Sequence, residues 1–192
     1  METSQALTKK KTPELLIILE ACAFSTRMHA GQKRKYTDEP YVLHCLEVAT
    51  IVAGANGNTV MVAAALLHDV VEDTSATIAE IKQLFGTEIS EAVAWLTDAS
   101  TTADGNRATR KAIDRDHLAK APADIKTVKL ADIICNTRSI VEYGGDFKKV
   151  YLSEMEALLE VLIEGDSALW HQAKKEVNRG LVDINSQQTK PK

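Results

Sequence analysis

The chain has 192 residues, of which 45% are hydrophobic and 26% are charged, and its formal net charge at pH 7 is −4. This composition is typical of one globular domain with a sizeable core, and the negative net charge argues against a nucleic-acid-binding protein. The sequence contains no stretch approaching the ~20 apolar residues that a membrane-spanning helix needs, so we expect no membrane segment.

The first residues and the cysteines indicate a compartment. The polar start, METSQALTKKK, lacks the apolar region of a signal peptide. Cys22, Cys45 and Cys135 are dispersed and form no CxxC pair, which favours reduced thiols over disulfides. We therefore expect a cytoplasmic protein.

In the first half of the chain, nearly every segment has a helical period in its apolar residues. Thr12 and Pro13 suit the N-cap and first position of a helix that Gly31 ends. The basic loop GQKRKYTDE follows, and Pro40 starts a second helix, PYVLHCLEVATIVAGA. A third helix begins near Thr59 and continues into AAALLHDVVEDT.

The second half continues the helical pattern. Thr77 and Glu80 predict a capping box for a short helix, and another helix follows over about residues 88–97. The turn-rich stretch DASTTADGN leads into a charged helix, RATRKAIDRDHLAK. Pro122 then opens the long helix ADIKTVKLADIICNTRSIVEY, and two more helices come after it. No strand alternation of convincing length is present.

These elements predict an all-α fold with about eight to ten helices. We expect one domain over residues 12–183, between a flexible N-terminal tail of residues 1–11 and a disordered C-terminal tail of residues 184–192.

The stretch AAALLHDVVEDT places four ionisable groups at the end of a helix that is apolar on all sides. Burying an unpaired carboxylate costs several kcal/mol, so these groups need ion pairs, a metal or a water-filled cleft. At about 100° per residue, His68, Asp69, Glu72 and Asp73 share one broad helix face. The adjacent His68 and Asp69 can reach one divalent ion, which leaves Glu72 and Asp73 a turn away for proton transfer.

Two further segments carry polar groups in apolar surroundings. His44 lies on the apolar stripe of its helix, and Asp132 lies within LADIIC, with Asn136 four residues later on the same side. Two imidazoles and two carboxylates form a nitrogen and oxygen shell suited to manganese, iron or zinc. Taken alone, His44 also fits a hydrogen-bonded core histidine, and Asp132 fits an ion-pair partner of Lys129 or Arg138.

The remaining polar features are less specific. The loop QKRK offers cations to a multiply charged substrate, but it is equally typical of a solvated surface loop. His29, His117 and His171 lie in polar or amphipathic settings, and we predict no functional role for them.

The motifs H…HD…D resemble those of the HD superfamily of metal-dependent phosphohydrolases. The longer motifs GQKRKYTDEPYVLH, AALLHDVVEDT and VKLADIICNTR are similar to the hydrolase domain of the RelA/SpoT stringent-response proteins. Their free-standing forms, the small alarmone hydrolases, are the most similar. The resemblance runs from about Phe24 to Arg138 and continues more weakly to near Asn178. It implies an HD-domain helical bundle.

The resemblance also implies roles for individual residues. One manganese ion is bound in that family by the four residues of the HD motif, here His44, His68, Asp69 and Asp132. The acidic pair that handles the attacking water corresponds to Glu72 and Asp73.

Substrate contacts follow from the same resemblance. The basic pair that contacts the guanine nucleotide corresponds to Arg34 and Lys35, and the asparagine near the ribose corresponds to Asn136. Cations for the phosphates correspond to Arg107, with Arg110 and Lys111 beside it. Two departures from the family pattern are present: Cys45 replaces a proline, and YTDE replaces a glycine-containing turn, which bears on base preference.

The resemblance implies manganese-dependent hydrolysis of guanosine 3′,5′-bis(diphosphate), or its pentaphosphate relative, to GDP or GTP plus pyrophosphate. One alternative is a related nucleotide phosphohydrolase, such as a phosphatase acting on the 2′-phosphate of NADPH. Another is a nucleotide-binding regulator with a degenerate site. We expect a small nucleotide as the partner, with no nucleic acid and no membrane, and the sequence leaves homodimer formation open.

Overall fold

The computed structural model describes the backbone of residues 2–188 and the side chains of residues 13–184. Over residues 2–188 the regular structure consists of ten α-helices and one 3₁₀ turn, Thr102–Asp104, and no β-strand is found there. The predicted all-α fold is therefore confirmed. The helices are α1 Glu2–Met28, α2 Val42–Gly54, α3 Thr59–Leu67, α4 Val70–Asp73, α5 Ile78–Phe85, α6 Thr87–Leu96, α7 Arg107–Leu118, α8 Ala123–Tyr143, α9 Phe147–Leu159 and α10 Ser167–Gln188.

The ends of the chain bear on the predicted tails. Helix α1 begins at Glu2, ahead of the predicted start at Thr12 and Pro13. Residues 189–192 of the predicted C-terminal tail, and Met1 of the N-terminal one, lie outside the described residues. The predicted domain boundaries stay predictions.

One helix differs from its prediction. The continuous helix expected through HDVVEDT is divided at His68 and Asp69 into α3 and α4. Asp69 has φ −96° and ψ −7°, which departs from regular helical geometry, while the Asp73 N–H still donates to the Asp69 carbonyl oxygen at 2.9 Å. His68 and Asp69, the two predicted metal ligands of this segment, therefore lie at a break between two helices rather than on one regular helix face.

The helices form two compact units. The first contains the described chain up to Gln32 together with Pro40–Thr97, and the second contains Lys33–Glu39 together with the described chain from Asp98 onward. No helix among residues described by the structure is long and apolar enough to cross a bilayer.

In the first unit, α3 is the central helix. All residues from Met61 to Leu67 are buried, because the sequence is apolar there, and α1, α2 and α6 pack around it. The Asn58 side chain caps its start by accepting a hydrogen bond from the Met61 N–H at 3.0 Å. Gly57 allows the close approach of α2, since a Cβ there would lie 2.8 Å from the Val52 carbonyl oxygen.

In the second unit, α8 is the central helix and packs against α9 and α10. Leu130, Ile133 and Ile134 of α8 are almost fully buried and supply much of the core. Asp132 is also buried, at 5% exposure, in the middle of this apolar helix. A carboxylate in this position needs polar partners, because burying it unpaired is strongly unfavourable.

Candidate metal centre and substrate cleft

Three of the four predicted metal ligands lie together in the first unit. Asp69 Oδ2 lies 3.0 Å from His68 Nε2 and 3.5 Å from His44 Nε2. One ligand atom from each of the three residues lies within 4.8 Å of the others, an arrangement that could hold a metal ion. The side chains of His44 and His68 are 0% and 3% exposed, whereas that of Asp69 is 18% exposed. The cluster is thus buried on its imidazole side.

The hydrogen bonds of this cluster fit a cation. His68 Nδ1 lies 2.8 Å from the Ala65 carbonyl oxygen, which can only accept, so Nδ1 carries a proton and donates, and in the neutral ring Nε2 then presents a lone pair. That lone pair faces a carboxylate oxygen. Two lone pairs 3.0 Å apart in a buried site require a positive charge between them, either a metal ion or a proton. The donor set of two imidazoles and a carboxylate is one that divalent transition metals accept.

Tyr41 belongs to the same cluster and was not predicted. Its hydroxyl donates to Asp69 Oδ2 at 2.7 Å, and its ring contacts the ring of His44 with centroids 5.7 Å apart. A carboxylate held by a phenol has a fixed orientation, which is the usual role of residues behind metal ligands. The sequence signal was its position three residues before His44, which places the two side chains about one helical turn apart.

The predicted catalytic pair lies on the short helix α4. Glu72 and Asp73 are both exposed, so solvent can reach them. Asp73 Oδ2 accepts a hydrogen bond from Gln32 Nε2 at 3.0 Å. The catalytic roles of Glu72 and Asp73 stay predictions.

The fourth predicted ligand, Asp132, belongs to the second unit. Lys129 Nζ donates to its Oδ2 at 2.8 Å, and Asn136 Nδ2 donates to its Oδ1 at 2.6 Å. The ion pair with Lys129 that the sequence offered as a structural explanation is therefore present. Participation of Asp132 in the same metal site as His44 stays a prediction.

Arg34 joins this group from the loop Lys33–Glu39. Its Nη1 donates to Asn136 Oδ1 at 3.0 Å, and its Nη2 donates to Ser139 Oγ at 3.0 Å. Asn136 thus links Arg34 to Asp132 through opposite ends of its amide. Three residues predicted for separate roles form one connected polar chain.

Lys35 and Arg107, two predicted substrate cations, lie near one aromatic ring. The Lys35 Nζ is 5.8 Å and the Arg107 Cζ is 5.1 Å from the ring centroid of Phe147. Arg107 also donates from Nε and Nη2 to both carboxylate oxygens of Glu154, at 2.7 and 2.8 Å. This pairing with Glu154 raises the pKa of Arg107. Phe147 and Glu154 were not predicted, because neither belongs to a recognisable motif.

The second unit contains a cleft of about 650 Å³, large enough for a nucleotide. Burial raises the pKa of Tyr151 on its wall, and the charge of Asp132 adds to this, so the phenol stays protonated at neutral pH. The lining includes predicted and unpredicted polar groups, namely Arg107, Lys111, Lys129, Asp132, Asn136, Tyr151 and Glu154.

Lys111 and Asp114 form an ion-paired group at the edge of this cleft. Lys111 Nζ lies 2.7 Å from Asp98 Oδ2 and 3.2 Å from Asp114 Oδ2. Burial alone would lower the pKa of Lys111, but the contacts with Asp98 and Asp114 raise it overall. Burial likewise opposes ionisation of Asp114, yet hydrogen bonds from Ser100 and the charge of Lys111 bring its pKa below the ordinary value. Both groups are therefore charged at neutral pH.

The histidines for which no role was predicted differ from one another. His171 is exposed, as expected. His29 is instead buried at 3% exposure, hydrogen-bonded to Gln32 and stacked against Tyr41. Its polar sequence context did not indicate this burial, because its stacking partner, Tyr41, comes from a later segment of the chain.

Comparisons with known proteins agree with the motifs. Residues 21–156 match the family described as HD domain. Guanosine-3′,5′-bis(diphosphate) 3′-pyrophosphohydrolase MESH1 of Xenopus tropicalis is 38% identical over 127 residues, which is 65% of this chain and 69% of that protein. A GTP pyrophosphokinase of Myxococcus xanthus is 37% identical over 134 residues, covering 67% of this chain but only 18% of that longer protein.

A solved structure supports the same placement. A metazoan ortholog of SpoT, described as hydrolysing ppGpp, superposes with a TM-score of 0.76 at 26% sequence identity, covering 85% of this chain and 94% of the other. The resemblance stated from the motifs is thereby confirmed. The chain belongs to the HD-domain family and, within it, to the hydrolase domains of the RelA/SpoT type.

Proposed function

We propose that this protein hydrolyses guanosine 3′,5′-bis(diphosphate) and the corresponding pentaphosphate at the 3′ position, in the cytoplasm and with manganese. The observation that carries the proposal is the buried cluster of His44, His68 and Asp69, whose facing lone pairs call for a cation. The substrate assignment is supported by the Xenopus relative, whose name specifies this reaction.

The proposed metal ligands are His44, His68, Asp69 and Asp132. A divalent ion bound by them supplies positive charge that acidifies a water molecule and offsets charge on the phosphoryl oxygens. Tyr41 holds the Asp69 carboxylate in place. Glu72 and Asp73 orient the attacking water and accept its proton. The water oxygen adds to the phosphorus attached to the ribose O3′. The P–O3′ bond then breaks and O3′ takes up the proton that the water gave to the acidic pair, releasing pyrophosphate and a 3′-hydroxyl.

The second unit supplies the proposed substrate contacts. Asn136 orients the ribose, Arg34 and Lys35 meet the nucleotide, and Arg107 holds the 5′ phosphates. The bidentate pair of Arg107 with Glu154 keeps the guanidinium in place at the cleft before a nucleotide arrives. Such preorganisation lowers the entropy lost on binding.

A product analysis tests the reaction. The purified protein with manganese is incubated separately with the tetraphosphate, the pentaphosphate, GTP and NADPH. The tetraphosphate should yield GDP and intact pyrophosphate in equal amounts, while GTP survives. Stepwise release of orthophosphate, breakdown of GTP, or turnover of NADPH alone would contradict the proposal and favour one of the other phosphohydrolase activities.

A pair of isosteric variants tests the division of roles. Glu72→Gln should retain the metal while kcat falls by about 100-fold or more, because only proton transfer is removed. Asp69→Asn should lose metal. Metal content by elemental analysis separates the two, and equal metal loss in both variants would show that the roles are wrongly divided.

A further inference from the structure

Gln32 makes two side-chain hydrogen bonds that connect a proposed catalytic residue to a buried histidine. Its Nε2 donates to Asp73 Oδ2 at 3.0 Å, and its Oε1 lies 2.7 Å from His29 Nδ1. Asp73 is exposed, whereas His29 is 3% exposed. All three residues belong to the first unit.

The chemistry of the partners determines the orientation of this amide. An ionised carboxylate only accepts hydrogen bonds, so the amide NH₂ must face Asp73. The amide oxygen then faces His29 and only accepts, so His29 Nδ1 must carry a proton and donate. Turning the amide over would place its oxygen against the Asp73 carboxylate. The direction of each hydrogen bond is therefore defined from His29 to Gln32 to Asp73.

The main chain of Gln32 is held on both sides. Its N–H donates to the His29 carbonyl oxygen at 3.0 Å, and its carbonyl oxygen accepts from the Tyr41 N–H at 3.0 Å. Gly31, just before it, has φ +80°, a conformation that favours glycine and turns the chain out of α1. The backbone of Gln32 is therefore already ordered. Presenting its side-chain amide to Asp73 costs little additional backbone conformational entropy.

The histidine behind Gln32 is anchored as well. The His29 ring stacks on Tyr41 with centroids 4.9 Å apart and an interplanar angle of 30°. Tyr41 in turn donates to Asp69. His29 is thus packed against Tyr41, the residue that holds the proposed metal ligand Asp69.

We propose that Gln32 is a positioning residue for Asp73, with His29 orienting the Gln32 amide from behind. The inference rests on the proposed catalytic role of Asp73. Asp73 lies at the end of a four-residue helix, where an exposed carboxylate would otherwise sample several rotamers. Engaging Oδ2 selects one rotamer and directs Oδ1 for contact with the attacking water. A group in proton transfer must be held within hydrogen-bond reach, and small displacements cost rate.

The primary test uses the manganese-loaded full chain and the tetraphosphate substrate. Gln32→Leu keeps approximate volume but removes both hydrogen bonds. Its kcat should fall about tenfold while KM stays within about twofold and metal content is unchanged. Gln83→Leu, at an exposed position on α5, is the matched control and should leave all three quantities unchanged. Circular dichroism and thermal unfolding check that Gln32→Leu is folded.

A double-mutant cycle separates positioning from a general structural effect. In the Asp73→Asn background, Gln32→Leu should lower kcat by less than about twofold more, because the group that Gln32 positions is already disabled. If the two losses multiply instead, Gln32 does not act through Asp73 and the inference is overturned. A loss in Asp73→Asn with full kcat in Gln32→Leu also overturns it. Full kcat in Asp73→Asn would instead refute the proposed role of Asp73 itself.

A pair of His29 variants tests whether this histidine orients the Gln32 amide. His29→Asn places an amide donor near the position of Nδ1 and should retain kcat within about threefold. His29→Leu removes the donor and should match Gln32→Leu. Equal kcat losses in both His29 variants would overturn the part assigned to the histidine.

Discussion

Replacing Asp69 by Asn should change the stability of the protein in opposite directions with and without metal. In the metal-free protein, Asp69 Oδ2 faces the lone pair of His68 Nε2 at 3.0 Å, and its side chain is only 18% exposed. The variant has nearly the same shape. With a neutral imidazole, its amide nitrogen can donate to that lone pair, whereas the carboxylate oxygen repels it.

The magnitude follows from three contributions. A new hydrogen bond from the Asn amide to His68 contributes about 1 kcal/mol, and removing a largely buried charge recovers part of a desolvation cost of several kcal/mol. The opposing contribution comes from the hydrogen bond that Tyr41 donates. It is charge-assisted with Asp69 but joins two neutral groups in the variant, which costs about 1 kcal/mol. The metal-free variant should therefore be more stable than the wild type by about 1–2 kcal/mol.

Metal reverses the order. A ligand at 100 times its Kd stabilises the folded state by about 2.7 kcal/mol. The wild type gains this amount with manganese, whereas the variant lacks the ligand charge and gains little. The wild type should then be the more stable protein by about 1 kcal/mol.

Urea unfolding at pH 8, in EDTA and in manganese at about 100 times the wild-type Kd, measures both differences. Glu72→Gln, at an exposed position outside the cluster, is the control and should change stability by less than about 0.5 kcal/mol in both buffers. If Asp69→Asn is destabilised in EDTA as well, the wild-type carboxylate stabilises the cluster without a metal, and the inference of a metal from the facing lone pairs is wrong.

Two further predictions concern the second unit. Replacing Arg34 and Lys35 together by Ala should raise KM more than it lowers kcat in steady-state assays, because these contacts form before the transition state. An unchanged KM would show that the loop is a solvated surface loop without substrate contacts. Asp114→Asn should lower the free energy of unfolding in urea by about 2 kcal/mol, since it weakens the half-buried hydrogen bonds from Ser100. Asp116→Asn, on an exposed pair, is the control and should change it by less than about 0.5 kcal/mol. Because the folded pKa of Asp114 is lowered, its contribution is complete above the ordinary carboxyl pKa of about 3.9 and disappears as pH falls through the folded value; a difference that persists in acid would contradict this.

Much of the candidate site could be predicted because its signals are local. His68 and Asp69 are adjacent in a strongly apolar stretch, and His44 lies on the apolar stripe of a helix, so burial of both imidazoles followed from periodicity. The contact between Asp132 and Asn136 followed from their spacing of one helical turn. Each of these signals involves only residues that lie close together in the chain.

The residues that were missed have partners distant in sequence. Gln32 contacts Asp73, which lies 41 positions later in the chain. Phe147, Lys35 and Arg107 lie on three separate segments and come together only in the folded protein. Nothing in the local pattern around a glutamine or a single phenylalanine indicates such a partner. The division of the ligand helix at Asp69 was also missed, because the residues there have no helix breaker among them.

The sequence by itself determined that the chain is helical, which faces of its helices are buried, and which ionisable groups lie on those faces. These properties depend on side-chain spacing within a turn, and that spacing is set by helix geometry. Only the tertiary structure decided which groups contact one another: the carboxylate of Asp69 against the imidazoles of His44 and His68, and Gln32 between His29 and Asp73. Such contacts depend on how the helices pack and where their connecting loops lead. Hydrogen-bond directions could then be assigned, because a donor or acceptor is defined only by the partner that it meets.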